Sequence, residues 1–255
     1  MITNEYFKEY RAILGFTNKD DCKKFLSAKD IKPNIDFNYI ELLNIRLKEI
    51  LLKINSSIYK PLQKNNIDSY ANNLIKNTFN LLKDSNTINK LNNQGRRVEE
   101  VYFSYTRGLI ISNFFMDTIK QMFNLKEGEI RFIGDDNLNN INSFKRTPKA
   151  DLEIIVNGEK IYLEIQSGFQ GVNDIKQHKV LEAKKQYLGN NIKSLLIHFD
   201  VFNGQVAFIN LYNIEDEDIN WITRQQLEGQ TVFNIEQNFF IWKITNQPPK
   251  MSEFL

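Results

Sequence analysis

In the first third of the chain, apolar and polar residues alternate with the period of an α-helix. Apolar side chains recur three and four residues apart, a spacing that predicts amphipathic helices. Four such stretches begin near Tyr6, Asp20, Tyr39 and Ile67. Residues 84–95 are rich in Asn, Ser and Lys and are the best candidate for a boundary. We therefore expect a helical N-terminal lobe over residues 1–90 and a second domain over residues 91–255.

The second domain mixes helical and strand patterns. Helices are predicted at 96–123, 173–188 and near Trp221. Strands are predicted at 129–134, 150–156, 160–167, 194–201, 205–211 and 232–244. A helix between two strands is the usual crossover that joins parallel strands, whereas tight turns join antiparallel ones. The pattern therefore predicts an α/β fold with a mixed central β-sheet flanked by helices.

Two of the predicted strands form a hairpin with acidic side chains. Asn157-Gly158 separates them and is a strong signal for a tight hairpin turn. Since side chains alternate along a strand, Asp151 and Glu153 share one face of the first strand, and Glu164 and Gln166 share one face of the second. A solvent-facing acidic face would explain the same pattern. The hairpin is therefore a candidate site that depends on the elements around it.

Asp151, followed after twelve residues by Glu164-Ile165-Gln166, resembles the active-site hairpin of the PD-(D/E)xK nuclease superfamily. The resemblance implies that Asp151, Glu164 and the carbonyl group of Ile165 bind Mg²⁺. The superfamily usually has a Lys where this chain has Gln166, although some type II restriction endonucleases carry Gln there. Pro148 also departs from the pattern, because it stands three residues before the Asp instead of beside it. The predicted order of elements matches the restriction-endonuclease-like core of the superfamily.

The start of the 96–123 helix extends this resemblance. In the superfamily, a Glu on the first core helix often points toward the metal, and Glu99 is the expected equivalent, with Glu100 as the alternative. Acidic residues at a helix start are also favoured by the helix dipole without any catalytic role. Basic residues that precede the hairpin in the sequence are candidates for contacts with DNA phosphates. They are Arg96, Arg97, Lys145, Arg146 and Lys149.

The composition limits which partners, disulfides and membrane segments the protein can have. Lys and Arg together number 33 and Asp and Glu 31, so the net charge is only +2 and a nucleic-acid partner has to be met by a local basic patch. The single cysteine, Cys22, excludes an internal disulfide. No stretch approaches the roughly 18 consecutive apolar residues of a membrane-spanning helix, and no N-terminal signal pattern is present. We expect a cytoplasmic protein without a membrane partner.

These expectations combine into a functional hypothesis. The resemblance implies a type II restriction endonuclease that uses Mg²⁺ to hydrolyse double-stranded DNA at a short sequence. A symmetric homodimer would cut both strands, and a cognate DNA methyltransferase would belong to the same system without physical contact. Two alternatives stay open: a DNA-binding protein that lost catalysis at Gln166, and a resolvase or transposase cleavage subunit. The N-terminal lobe could shield the core, recognise DNA or form the dimer interface.

Overall fold

The computed structural model describes residues 2–31, 34–91, 96–134, 149–215, 217, 219–224 and 229–251. The chain divides into two compact units, Met1–Asp36 and Phe37–Leu255. The first unit contains α1 (Asn4–Ile13) and α2 (Lys19–Leu26). Each helix starts after a residue whose side-chain oxygen accepts a hydrogen bond from a free N–H of the first turn, Thr3 for α1 and Asn18 for α2.

Five further α-helices lie in the described residues of the second unit. They are α3 (Phe37–Ser57), α4 (Ile67–Asp84), α5 (Val98–Phe114), α6 (Met116–Met122) and α7 (Gln177–Asn190). Apolar side chains on α3 and α4 join the same core as α5, α6 and the main sheet. In the described part of the chain, no helix has both the length and the apolar character needed to cross a membrane.

The main sheet has six strands. In spatial order they are β1 (Ile130–Phe132), β2 (Leu152–Val156), β3 (Glu159–Gly168), β5 (Lys193–Asp200), β6 (Gln205–Asn210) and β9 (Phe240–Lys243). A smaller sheet has the order β4 (Asp174–Lys176), β8 (Gln230–Asn234) and β7 (Ile222–Arg224). Among the described strands of the main sheet, only β3 and β5 are parallel, and α7 lies between them in sequence as the crossover helix.

A tight turn fixes the register of the β2–β3 hairpin. Asn157 and Gly158 both have positive φ angles, 52° and 83°, as a type I′ turn requires. The turn pairs Leu152 with Leu163 and Ile154 with Ile161. One face of the hairpin is therefore apolar and packs into the core on the α3–α6 side of the sheet.

A second core covers the opposite face of the main sheet. It joins apolar residues of α7, β5, β6 and the small sheet, such as Val180, Leu196, Ile209 and Phe233. Leu196 is the β5 partner of Glu164, so the acidic face of β3 is turned toward α7. The predicted α/β fold class, with a mixed sheet flanked by helices, is confirmed.

Three predicted elements differ from the structure. Where a short helix is predicted near Trp221, the described residues Ile222–Arg224 form strand β7. The strand predicted at 232–244 is two strands, β8 and β9, which belong to different sheets. The helix predicted from residue 173 begins only at Gln177, since Asp174–Lys176 pairs with β8. In each case pairing with a distant strand decides the local structure, and local patterns do not carry that information.

The assignment of residues 1–90 to a separate lobe for DNA recognition or dimerisation stays a prediction. By compactness the chain divides after Asp36, and residues 37–90 belong to the same unit as the sheet. Leu47 and Leu51 of α3 and Ile75 of α4 are buried in the core that also holds the hairpin. Helices α3 and α4 therefore support the hairpin from its apolar side.

Candidate active site

Asp151 stands directly before β2 and is fixed through its backbone from both sides. Its N–H donates to the carbonyl of Leu163, with an N···O distance of 3.0 Å. Its own carbonyl accepts hydrogen bonds from the N–H groups of Ile133 and Gly134, at 3.1 and 3.2 Å. Gly134 passes so close that an added Cβ would lie 3.2 Å from the Cα of Asp151. The start of β2 is therefore held in one place between the β1 side and β3.

The side chain of Asp151 reaches across to β3. Its Oδ2 accepts a hydrogen bond from the N–H of Ile165 at 2.7 Å. The backbone pairing of β2 with β3 ends at Leu152–Leu163. Beyond it, the Asp151 carboxylate replaces a β2 carbonyl as the acceptor for the N–H of Ile165. The N–H and carbonyl of one strand residue point toward the same neighbour. The carbonyl of Ile165 is therefore directed to the same side as the Asp151 carboxylate.

Glu164 points to the other side of β3 from Ile165 and forms an ion pair with Lys179 on α7. Only 12% of the Glu164 side chain and 24% of the Lys179 side chain are exposed, so the pair is shielded from solvent. Burial alone would lower the pKa of Lys179, but the carboxylates of Glu164 and Asp151 outweigh it and raise that pKa above its ordinary value. Lys179 is therefore a firmly charged ammonium between two acidic residues.

Gln166 holds the chain segment that leads into α7. Its Nε2 donates to the backbone carbonyl of Asp174 at 2.8 Å. The carboxylate of Asp174 is in turn bound by Arg224 through Nε and Nη2, at 3.0 and 3.4 Å, and by Nδ2 of Asn234 at 3.2 Å. Helix α7 begins three residues after Asp174, so this chain of contacts fixes the start of the helix that carries Lys179.

These side chains surround a cavity of about 1150 Å³. Asp151, Glu164, Gln166 and Lys179 all line it. Its wall also carries Arg131, Lys149, Lys176, His178 and the acid Glu182. Burial lowers the pKa of His178, and the charges of Lys176 and Lys179 lower it further, against a weaker raising effect of Glu164. The cavity thus combines carboxylates with a positive rim, an arrangement suited to a bound cation and an anionic substrate.

Glu153, the second acid on the β2 face, also lines the cavity but is occupied by ion pairs. Arg131 binds its Oε1 at 3.0 Å and Lys160 binds its Oε2 at 3.1 Å. Both oxygens therefore serve the contacts between β1, β2 and β3.

Other predicted site residues are placed differently or lie outside the described part of the chain. Glu99 is buried on α5, where Arg97 binds it with an N···O distance of 3.3 Å, and it is not among the described residues that line the cavity. Glu100 is exposed. Of the basic candidates, Lys149 lines the cavity, whereas Arg96 and Arg97 lie directly before α5. Lys145, Arg146 and Pro148 lie outside the described residues.

The donor set fits Mg²⁺. Among the described residues no cluster of three or more His, Cys, Asp or Glu side chains is placed to hold a metal. Mg²⁺ needs fewer, because it keeps several waters and commonly binds one or two carboxylates plus substrate oxygens. The carboxylates of Asp151 and Glu164 and the carbonyl of Ile165 are all hard oxygen donors of this kind. These three residues would hold the ion.

Comparisons with known proteins add little to this geometry. No protein-family model matches the chain, and no curated protein matches it. Among solved structures, the chain resembles a Holliday junction resolvase, Hjc of the archaeal hyperthermophile Archaeoglobus fulgidus, with a TM-score of 0.34 and 8% sequence identity. The match covers 51% of this chain and 90% of the resolvase. The similarity is too low to assign a family or an activity.

The sequence analysis missed the role of Lys179. In the sequence, Lys179 is one of four lysines of the predicted 173–188 helix, with Lys176, Lys184 and Lys185, and the pattern assigns a partner to none of them. A local signal existed, since Lys179 directly precedes Val180, which is buried on α7, and so lies beside the inward face of the helix. The signal does not identify Glu164 as its partner, because that requires the position of α7 on the sheet.

Proposed function

We propose that this chain is a Mg²⁺-dependent DNA endonuclease of the PD-(D/E)xK type, and specifically a type II restriction endonuclease. The observation that carries the proposal is the meeting of Asp151, Glu164 and Lys179 at one cavity, with Asp151 bound to the backbone of Ile165. Two acids on neighbouring strands and a shielded ammonium are the groups that phosphodiester hydrolysis requires.

Different residues of the site bind the metal, stabilise the phosphate charge and attract the DNA. Bound at Asp151, Glu164 and the Ile165 carbonyl, Mg²⁺ would supply Lewis-acid stabilisation of phosphate charge and a lower pKa for a coordinated water. Lys179 places a positive charge at the same cavity, where it stabilises the extra negative charge that develops on the phosphate. Lys176 and Lys149 attract the DNA backbone to the rim.

The position of Lys179 argues against the alternative of a catalytically inactive DNA-binding protein. That alternative rested on Gln166, because an amide cannot stabilise charge as an ammonium does. In this structure an ammonium lies beside Glu164 although it comes from α7 and not from β3. Gln166 then has a different task, since its Nε2 binds Asp174 and holds the segment before α7. The replacement of Lys by Gln therefore does not remove the cation from the site.

We propose further that two chains act together on one duplex. Each chain has one Asp151–Glu164 hairpin and so cuts one strand, whereas a two-fold pair of chains presents the same site to both antiparallel strands. Sedimentation of the protein with a duplex that carries one target site tests this. Two chains per duplex support the dimer. One chain per duplex, with nicked circles accumulating before linear DNA, contradicts it.

The activity itself is tested by incubating the protein with mixed plasmid and phage DNA in Mg²⁺ and, as the control, in EDTA. A restriction enzyme gives discrete fragments in Mg²⁺ and none in EDTA. A parallel incubation with a four-way DNA junction separates the alternatives, because cleavage of the junction alone would indicate a resolvase. A gel shift without cleavage of any substrate would contradict the nuclease and favour a DNA-binding protein.

A further inference from the structure

Arg107 on α5 is a cation without a counter-ion in the described part of the chain. Its guanidinium carbon lies 3.7 Å from the ring centroid of Phe169 and 5.2 Å from that of Phe103. The side chain of Arg107 forms neither a hydrogen bond nor an ion pair with any described residue, and its Nε is enclosed without an acceptor among them. The two aromatic rings therefore fix the plane of the guanidinium but leave its charge uncompensated.

A second guanidinium adds to this charge. Arg96, at the start of the same helical region, is exposed and donates from Nη2 to the hydroxyl of Ser104 at 3.1 Å. Burial lowers the pKa of Arg107, and the nearby charge of Arg96 lowers it further. Like charges placed together raise the energy of the protein unless an anion compensates them. A role for Arg107 in packing alone would explain the contact with Phe169 but not the neighbouring Arg96.

Phe169 links this pair of arginines to the candidate active site. It directly follows β3, which ends at Gly168, and so lies at most about 16 Å along the strand from Glu164, at about 3.3 Å per residue. Phosphates of one DNA strand follow each other at about 3.4 Å along the helix axis. Phe169 and α5 pack on the apolar side of β3, opposite the side of Glu164, so a DNA strand with one phosphate in the cavity reaches Arg107 by passing the end of β3 at Gly168. The about 16 Å along β3 correspond to about five phosphate spacings.

We propose that Arg107, oriented by Phe169 and assisted by Arg96, binds a backbone phosphate of the DNA strand that enters the cavity. This inference rests on the proposed function. A stacked guanidinium keeps its edge N–H groups in one plane, where they match two phosphate oxygens at once. The contact is to the backbone, so it positions the strand and contributes nothing to the choice of sequence.

The test compares Arg107→Gln, Arg96→Gln and Arg107→Lys with wild type. Binding of a labelled duplex is measured by fluorescence anisotropy in EDTA over a series of salt concentrations, so that cleavage does not interfere. Loss of one phosphate contact lowers the slope of log K against log salt by about 0.9. We expect this loss in Arg107→Gln and in Arg96→Gln, and a slope close to wild type in Arg107→Lys, which keeps the charge.

Arg46→Gln is the matched control, because Arg46 is an exposed arginine on α3 that pairs with Glu49. It should keep the wild-type slope. Thermal unfolding of each variant shows whether a change in DNA binding comes from a loss of stability. If Arg107→Gln does not fold, Arg96→Gln, a change at an exposed residue, is the variant that tests the site. A lower melting temperature with an unchanged slope in these variants would assign Arg107 to packing and overturn the phosphate site. Absence of salt-dependent DNA binding in wild type would instead contradict the proposed function itself.

Discussion

Lys179 on α7 forms an ion pair with Glu164 on β3, fifteen residues earlier in the chain. The pair joins the crossover helix to the acidic strand at the wall of the cavity. Gln166 supports it indirectly, because its hydrogen bond to the carbonyl of Asp174 fixes the segment from which α7 starts. Gln166 thus positions the start of α7, and Lys179 on α7 supplies the positive charge beside Glu164.

Lys179→Met should lower the rate of DNA cleavage by about 10²- to 10³-fold, the loss that follows removal of one preorganised charge stabiliser. DNA binding should change much less, since the rim keeps Lys149 and Lys176. Lys185→Met is the control, because Lys185 lies on the same helix but is exposed. Single-turnover cleavage kinetics measure the effect. Equal rates for the two variants would show that Lys179 has no part in the chemistry.

Gln166→Lys, introduced into the Lys179→Met variant, should recover part of the lost rate. A lysine at position 166 would return an ammonium to β3 and could still donate to the carbonyl of Asp174. A charged hydrogen bond from this ammonium to the phosphate contributes about 1.5 kcal/mol, which corresponds to a recovery of the cleavage rate of about tenfold. The double variant is compared with Lys179→Met in the same kinetic assay. No recovery, in a double variant that unfolds at the same temperature, would contradict a shared role of the two positions.

Gly168→Ala should destabilise the fold by about 1–3 kcal/mol through overpacking. A Cβ at Gly168 would lie 2.7 Å from Oδ1 of Asn173 and 3.0 Å from Nε2 of His198. These two atoms are hydrogen-bonded to each other at 2.8 Å in a buried site, so neither moves without losing its partner. Gly189→Ala is the control, because a Cβ there meets no atom within 4 Å. Urea unfolding of both variants gives the comparison, and equal midpoints would contradict the close packing.

His198 is fully buried, and its protonation state follows from its neighbour. Nδ2 of Asn173 donates to Asp200, so Oδ1 of Asn173 is an acceptor and Nε2 of His198 carries the proton. Nδ1 is enclosed without a hydrogen-bond partner among the described residues. Burial lowers the pKa of His198 from 6.5 to about 4, against a raising effect of Asp200. The folded protein thus holds this histidine neutral where the unfolded chain would protonate it.

Acid should therefore destabilise the protein through His198. Between pH 6.5 and about 4 the unfolded chain binds a proton that the folded chain does not, so the contribution is complete above pH 6.5 and is lost as the pH falls. The shift corresponds to about 3 kcal/mol. His198→Gln, whose amide nitrogen can replace Nε2, should reduce this pH dependence of the urea midpoint. Identical pH profiles for wild type and His198→Gln would contradict the assignment.

The sequence predicts the hairpin well because its determinants are local. Asn157-Gly158 specifies the turn, the turn specifies the register, and alternation then turns Glu164 toward one face of the sheet. The ion pair of Lys179 with Glu164 depends on how α7 packs, and the contact of Gln166 with Asp174 depends on a strand three residues long. Strand β7 near Trp221 likewise exists only through pairing with β8. These features arise from long-range pairing that a local pattern does not encode.

The central claim is that Asp151 and Glu164 together form a catalytic metal site, and cleavage by Asp151→Asn and Glu164→Gln tests it most directly. Both variants should lose at least about a hundredfold in Mg²⁺-dependent cleavage, because each removes a metal ligand. Both should bind DNA at least as well as wild type, since one repulsion with phosphate is removed. Glu159→Gln is the control, an exposed acid of the same strand that pairs with Lys193, and it should cleave as wild type does. Cleavage within tenfold of wild type by both Asp151→Asn and Glu164→Gln would contradict the account.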